Sequence, residues 1–303
     1  MNILETKNLT KTYGGKAAVN NVSLAIQKGD IYGLIGQNGA GKTTLMRMIT
    51  SLSSPTSGEI KLFGESTPTG LQNARRRMSA VIETPALYPY LTAAQNLEFY
   101  RIQRGIPDKK VITKALEFVG LTDTGNKKFK NFSMGMKQRL GLALVTLSNP
   151  DFVILDEPIN GLDPMGIVEI RKLIQELHKQ GITILISSHI LTELSLVATK
   201  YAFLHDGKLV KNLTQSELQE ECKTALAIVV DDAQKAAAIL ETALNIRNYK
   251  QISENELRIY EQLDNSAEIT TQLILGGVRL SSTKEVGDSL EDYFKNVIGG
   301  GVQ

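Results

Sequence analysis

Gly36-Gln37-Asn38-Gly39-Ala40-Gly41-Lys42-Thr43-Thr44 follows the apolar run Ile31 to Ile35 and opens a helical pattern at Leu45, Met46, Met48 and Ile49. Strand, glycine-rich turn and helix in that order are the setting a P-loop requires. Backbone N–H groups of Gly36, Asn38, Gly39 and Gly41, joined by those of a helix opening at Lys42, Thr43 and Thr44, make a nest for phosphate oxygens. Lys42 is expected to reach the β and γ phosphates, and the Thr43 hydroxyl to sit on Mg²⁺. The stretch therefore predicts nucleotide binding on an α/β framework.

Farther along, Phe152-Val153-Ile154-Leu155-Asp156-Glu157 is an apolar strand that ends in two carboxylates. Ligands of open α/β sheets bind at the carboxyl ends of strands. Asp156 suits the Mg²⁺ shell, and Glu157 is placed to polarise an attacking water. Between the two motifs lies Phe132-Ser133-Met134-Gly135-Met136-Lys137-Gln138-Arg139, followed by the apolar helix Leu140 to Leu147. Serine and glycine at a helix start can form a second phosphate nest, or simply cap the helix.

Composition narrows the function classes. Lys plus Arg total 34 against 32 for Asp plus Glu, so no global charge recruits nucleic acid. The densest basic cluster, Arg75-Arg76-Arg77, reads as a solvated helix face. A single cysteine, Cys222, precludes an internal disulfide framework and fits a reducing cytosol. Met1 to Lys7 lacks the layout of a signal peptide, and no apolar run approaches the 18 or so residues needed to cross a bilayer. Any membrane work is expected to pass through a partner.

Strands are expected at Ile3–Leu9, Val22–Ile26 and Glu59–Phe63, and a helical region from Thr92 to Val119 broken at Gly105-Ile106-Pro107. A helix begins at Asp163-Pro164 and ends at Gly181, ahead of a buried-type strand at Ile182–Ile186. Alternating strands and helices point to a parallel sheet. Asp206-Gly207 reads as a hairpin turn, and Thr214 with Glu217 as a capping box. Beyond it the order changes to strand Thr224–Val230, helix Ala233–Leu244, strands Tyr249–Ile252 and Glu256–Tyr260, helix Ala267–Leu275, strand Val278–Leu280 and a last helix near Leu290–Val297. That order suggests a βαββαβ unit of ferredoxin-like type. The expected division is 1–221 and 222–303.

The P-loop, the Ser-x-Gly signature, the Asp-Glu strand, Gly161-Leu162-Asp163 and Ser188-His189 occur in the order and spacing of ABC-transporter ATPase subunits, which the chain resembles from about Met1 to Lys211. The resemblance implies a P-loop NTPase cassette with a RecA-like core, an antiparallel β subdomain and an α-helical subdomain, followed by a small α+β accessory domain. It implies ATP hydrolysis with Mg²⁺, and two cassettes closing head to tail over two ATP molecules. Ser133 and Gly135 would then touch the γ-phosphate in trans, and Asp163 would lie at the shared interface. His189 would contact the γ-phosphate and help hold the water, and Tyr13 would stack on adenine. The implied partners are a second copy and a multispan permease at the cytoplasmic face of the plasma membrane, with no nucleic acid.

One departure stands out. Most such cassettes carry a glutamine where this chain reads Val81-Ile82-Glu83-Thr84-Pro85. Glu83 can ligate Mg²⁺ as a hard oxygen donor but adds a negative charge. A glutamate there resembles the bacterial exporters of bacitracin and lantibiotic-type peptides, as do Phe132 to Met136 and the terminal Ser289-Leu290-Glu291-Asp292-Tyr293-Phe294. Peptide-antibiotic export is therefore the expected work. Lipid, small-drug or polysaccharide export is the alternative, and a soluble ATPase acting on ribosomes or DNA is the more distant one. Glu83 and Leu87-Tyr88-Pro89-Tyr90 are expected to transmit ATP state to the membrane subunit.

Overall fold

The computed structural model describes residues 1–83, 85–287 and 290–299; Thr84 and Ser289, which belong to two of the stretches quoted above, and residues 300–303 of the expected second domain lie outside them. The chain divides into two compact units, the first built on Met1–Gln215 and the second on Ser216–Asn296.

In the first unit a six-stranded sheet has the order β5-β6-β7-β3-β8-β9. Its strands are β3 (Ile31–Ile35), β5 (Met78–Val81), β6 (Phe152–Leu155), β7 (Thr183–Ser188), β8 (Lys200–His205) and β9 (Lys208–Thr214). The neighbours from β5 to β8 pair in parallel, and only β9 returns antiparallel through Asp206-Gly207. Asp206 and Gly207 both have positive φ, 45° and 75°, which is the backbone a two-residue hairpin turn needs. Every residue of β3, β6 and β7 is buried. That explains their unbroken apolar reading, because both faces of a parallel sheet are covered.

A second sheet of order β2-β1-β4 is antiparallel: β1 (Asn2–Tyr13), β2 (Lys16–Gln27) and β4 (Ser57–Leu62). β1 and β2 run well beyond the apolar stretches that announce them, carried on by backbone pairing of polar residues such as Lys11 and Thr12 with Val19 and Ala17. Leu4, Leu9, Val22 and Ile26 share a core with Leu45, Met46 and Met48 of the helix that follows the P-loop, α1 (Lys42–Ile49). The strand edge of this unit is thus tied to the helix that carries Lys42 and Thr43.

Between the sheet strands lie α2 (Pro68–Arg75), α3 (Ala93–Gln103), α4 (Lys110–Phe118), α5 (Met134–Thr146), α6 (Pro164–Lys179), α7 (Leu191–Ser195) and, after β9, α8 (Gln215–Glu221). α3 opens on a reciprocal capping box between Thr92 and Gln95 and stops before Gly105, whose φ of 65° a side chain would resist. Among the described residues no helix is long and apolar enough to cross a membrane.

The second unit is an antiparallel sheet of order β11-β12-β10-β13 with helices packed on it. Its strands are β10 (Ala225–Val230), β11 (Tyr249–Gln251), β12 (Glu256–Ile259) and β13 (Leu280–Val286), and its helices α9 (Ala233–Thr242), α10 (Ser266–Leu275) and α11 (Leu290–Gly299). Leu226, Ile228, Leu240, Leu257, Ile259, Ile269 and Leu273 fill its core. The two units divide between Gln215 and Ser216, and within the second Tyr293 donates to Glu221 Oε2 at 2.7 Å.

The last strand also differs from the reading of the sequence. Val278 does not start it; its N–H returns to Leu273 O, closing α10. β13 then runs two residues later and longer, through Ser281 to Glu285. It is an exposed edge strand and needs no apolar alternation to pair with β10.

Candidate active site

The adjacent strands β5, β6, β7 and β3 end at one rim, and each delivers part of the predicted set: Glu83 after β5, Asp156 and Glu157 after β6, His189 after β7, and the P-loop after β3. Sheet order alone thus gathers residues that are far apart in the chain.

The P-loop itself depends on two close approaches. A side chain at Gly36 would meet Leu204 O at 2.5 Å, and one at Gly41 would meet Ala18 O at 2.4 Å in a backbone already at φ 103°. Gly39, at φ 84°, and Asn38 form the exposed tip. Lys42 is buried, and its ammonium donates to Gly36 O at 2.6 Å and Gln37 O at 3.2 Å. It also lies 3.1 Å from Glu157 Oε1, an ion-pair distance without hydrogen-bond alignment. Thr43, half-buried beside Thr44, donates its hydroxyl to Asp156 Oδ2 at 2.7 Å.

Asp156 is buried, and its other oxygen, Oδ1, accepts from Ser187 Oγ at 2.6 Å. The same hydroxyl accepts the Glu157 N–H at 2.9 Å. Glu157 sits at φ 49°, an uncommon backbone for a side chain of its size, and that N–H bond is one of its restraints. Its Oε2 meets His189 Nδ1 at 2.9 Å. One carboxylate therefore touches the P-loop lysine through one oxygen and the histidine through the other. Ser187 is a residue that sequence reading missed; its signal was only a serine one place ahead of the quoted Ser188-His189.

Other predicted residues are not drawn into this cluster. The Glu83 carboxylate, also on a positive-φ residue (61°), is paired with Arg47 Nη2 at 2.7 Å. Arg47 lies one helical turn beyond Thr43 on α1, and its opposite charge is the physical reason Glu83 rests there rather than on Thr43 and Asp156. Tyr13 ends β1 half exposed, its hydroxyl 3.2 Å from Ser53 Oγ and its ring 4.8 Å from Lys11 Nζ. Ser133 caps α5 by accepting from Met136 N at 3.3 Å. Gly135 is the second residue of α5, in its first turn, where a side chain would come within 3.9 Å of Leu162. Asp163 caps α6, accepting from Gly166 N at 3.0 Å, with Pro164 at the first helical position. Ser133, Gly135 and Asp163 thus lie at two helix starts whose neighbouring residues Met134 and Leu162 approach across them, apart from the contacts of Lys42 and Glu157.

Thr43 and Asp156 offer hard oxygens side by side, the donor type that Mg²⁺ takes. Among the described residues no cluster of three His, Cys, Asp or Glu side chains could hold a metal unaided.

A phosphate nest, an Asp–Glu pair and a histidine on one sheet rim define a P-loop nucleoside-triphosphatase of the cassette class. The chain matches the ABC transporter family over residues 19–160 and belongs to it. It is 43% identical to an uncharacterised ABC transporter ATP-binding protein, YcbN of Bacillus subtilis, across 98% of this chain and 97% of that protein. It is 41% identical to the bacitracin transport ATP-binding protein BcrA of Enterococcus faecalis, across 99% of this chain and 97% of that one. Among solved structures it resembles the dimeric, post-hydrolysis cassette MJ0796 bound to ADP and Pi, with a TM-score of 0.64 and 27% identity over 70% of this chain and 98% of that one. This chain is accordingly an ATP-binding, ATP-hydrolysing subunit of an ABC transporter.

Proposed function

We propose that the chain drives export of peptide antibiotics of the bacitracin or lantibiotic type, as a homodimer beneath a separate multispan permease at the cytoplasmic face of the plasma membrane. The observation that carries this reading is the reach of the similarity. The solved cassette MJ0796 aligns with 70% of the chain, whereas BcrA aligns with 99%, second unit included. The division of labour follows: the first unit, with residues to about 221, as the cassette and the remainder as an accessory domain of split βαβ type.

The resting geometry suggests how the residues act. Lys42, Gly36, Asn38, Gly39, Gly41 and Thr44 cradle the phosphates, and Tyr13 stacks on adenine. Thr43 and Asp156 would hold Mg²⁺, which when bound would neutralise developing phosphate charge. Phosphate arriving at Lys42 competes with Glu157 for the ammonium, 3.1 Å away. The freed carboxylate then serves as general base toward water, while His189 holds its other oxygen in place. Glu83, now paired with Arg47, is a further hard-oxygen donor that would be available to the cation if that pair opened. Ser133, Gly135 and Asp163 act across the dimer interface.

Removing the chain from its own host and scoring growth against bacitracin and a lantibiotic tests the cargo. Tolerance should fall, return with the wild-type chain, and stay lost with Glu157→Gln. Unchanged tolerance to both peptides on removal would set this cargo aside while leaving the ATPase assignment untouched.

A further inference from the structure

Tyr13 closes β1 where strand pairing gives out. On one side it pairs with Lys16 of β2, across a turn of Gly14 and Gly15 at positive φ. On the other side the register with β4 ends at Thr10 opposite Ser57. From there the loop between α1 and β4 takes over. The Thr56 N–H donates to Thr10 O at 2.8 Å, and the Thr12 N–H donates to Thr56 Oγ1 at 3.0 Å. The Lys11 ammonium donates to Ser54 O at 2.7 Å, and the hydroxyls of Tyr13 and Ser53 share a hydrogen bond of 3.2 Å. Each residue from Thr10 to Tyr13 is thus tied to this loop.

The loop is a firm support because it is itself fixed to α1. The Ser51 N–H returns to Met48 O and the Ser53 N–H to Arg47 O, both at 3.1 Å. Lys11 and Tyr13 stand two residues apart on a strand and therefore share a face. That places the Lys11 ammonium over the Tyr13 ring, 4.8 Å from its centroid, within the range of cation–π attraction. One face of the ring is taken by the cation and the hydroxyl is tied, which leaves the opposite face for a flat ligand.

We infer that Lys11 and Ser53 are positioning residues for base recognition: they hold the Tyr13 ring ready to stack on the adenine of ATP. The inference rests on the reading of Tyr13 as the stacking residue. A half-exposed ring beside two glycines would otherwise lose rotamer freedom at the moment of binding, and that loss opposes affinity. A ring already held in place loses less. The loop that holds it leaves α1, whose first turn carries Lys42 and Thr43. The residues proposed to take phosphate and those that steady the base ring therefore belong to one continuous stretch of chain.

The test uses the full chain and two ligands, a non-hydrolysable ATP analogue and inorganic tripolyphosphate, each titrated in a calorimeter with Mg²⁺ present. Lys11→Ala with Ser53→Ala should weaken the ATP analogue about 3- to 10-fold and leave tripolyphosphate unchanged. Ser53→Ala alone and Tyr13→Phe break the same hydroxyl bond and should give equal losses. Lys11→Arg with Ser53→Thr keeps the cation and the hydroxyl, and should restore most of the affinity. In a Tyr13→Ala background, adding Lys11→Ala and Ser53→Ala should cost nothing further, since both act through the ring. Tripolyphosphate binding also reports that each variant keeps its P-loop. Equal weakening of both ligands, or a further loss in the Tyr13→Ala background, overturns the inference in favour of a general loosening of the loop. A loss with Tyr13→Ala but none with Lys11→Ala and Ser53→Ala overturns the inference and leaves Tyr13 in the base site. Unchanged affinity in Tyr13→Ala removes Tyr13 from the base site, and the inference with it.

Discussion

The Ser187 hydroxyl donates to Asp156 Oδ1 and accepts the N–H of Glu157, so a single buried atom fixes the carboxylate proposed for the metal and the backbone proposed to aim the base. Ser187→Ala removes both bonds and leaves a buried carboxylate oxygen and a strained N–H without that partner. Each such loss costs about 1–3 kcal/mol. We expect kcat for ATP hydrolysis to drop by at least about tenfold while ATP affinity changes little, since Lys42 and the P-loop N–H groups are untouched. Ser187→Thr keeps the hydroxyl and should recover most of the rate. Equal turnover by Ala and Thr variants would mean that β7 alone sets the geometry. Tyr13 presents a different case at the same scale. It is half exposed, so its removal leaves the core intact. Stacking on a base is worth about 1–3 kcal/mol, and Tyr13→Ala should therefore weaken ATP binding about 5- to 150-fold in a fluorescent-nucleotide titration. Unchanged affinity would remove Tyr13 from the site.

At the scale of elements, α5 and the loop after Glu83 meet through a glycine. A Cβ at Gly141 would lie 2.6 Å from Pro85 Cγ, against a rigid ring. Two effects of Gly141→Ala compete: helix propensity favours Ala by about 1 kcal/mol, whereas overpacking costs about 1–3 kcal/mol. The clash should win, and thermal unfolding should come several degrees lower. A higher midpoint would show that the loop yields. The same junction illustrates what a sequence can carry. The P-loop, the Asp156-Glu157 strand and the Asp163 cap were legible because each is written in consecutive residues whose local chemistry is self-contained. The rim that unites them followed from alternating strands and helices. What escaped was set by partners distant in the chain: Ser187 within an apolar strand, Arg47 opposite Glu83, and Gly141 beneath Pro85. β13 was displaced for the related reason that backbone pairing with β10, rather than side-chain pattern, makes it a strand.

At the scale of the whole molecule, Glu157→Gln separates binding from turnover. In the resting chain the Glu157 carboxylate faces both Lys42 and His189, and a terminal phosphate must approach this negative charge. Glutamine keeps the size but removes the charge, so the general base is lost while repulsion of the phosphate is relieved. ATP should then be held longer than in the wild type. Where the bound nucleotide bridges two copies, it stabilises the pair by mass action, and the pair lasts as long as the nucleotide does. Sedimentation velocity should show a dimer for Glu157→Gln with ATP, and a monomer without nucleotide. The wild-type chain should show only a transient dimer that decays as ATP is consumed. Combining Glu157→Gln with Ser133→Arg, a bulky charge placed at the proposed trans contact, should abolish the dimer while ATP still binds each P-loop. Near-normal hydrolysis by Glu157→Gln would exclude Glu157 as the base. A stable dimer in the double variant would move the contact away from Ser133 and Gly135.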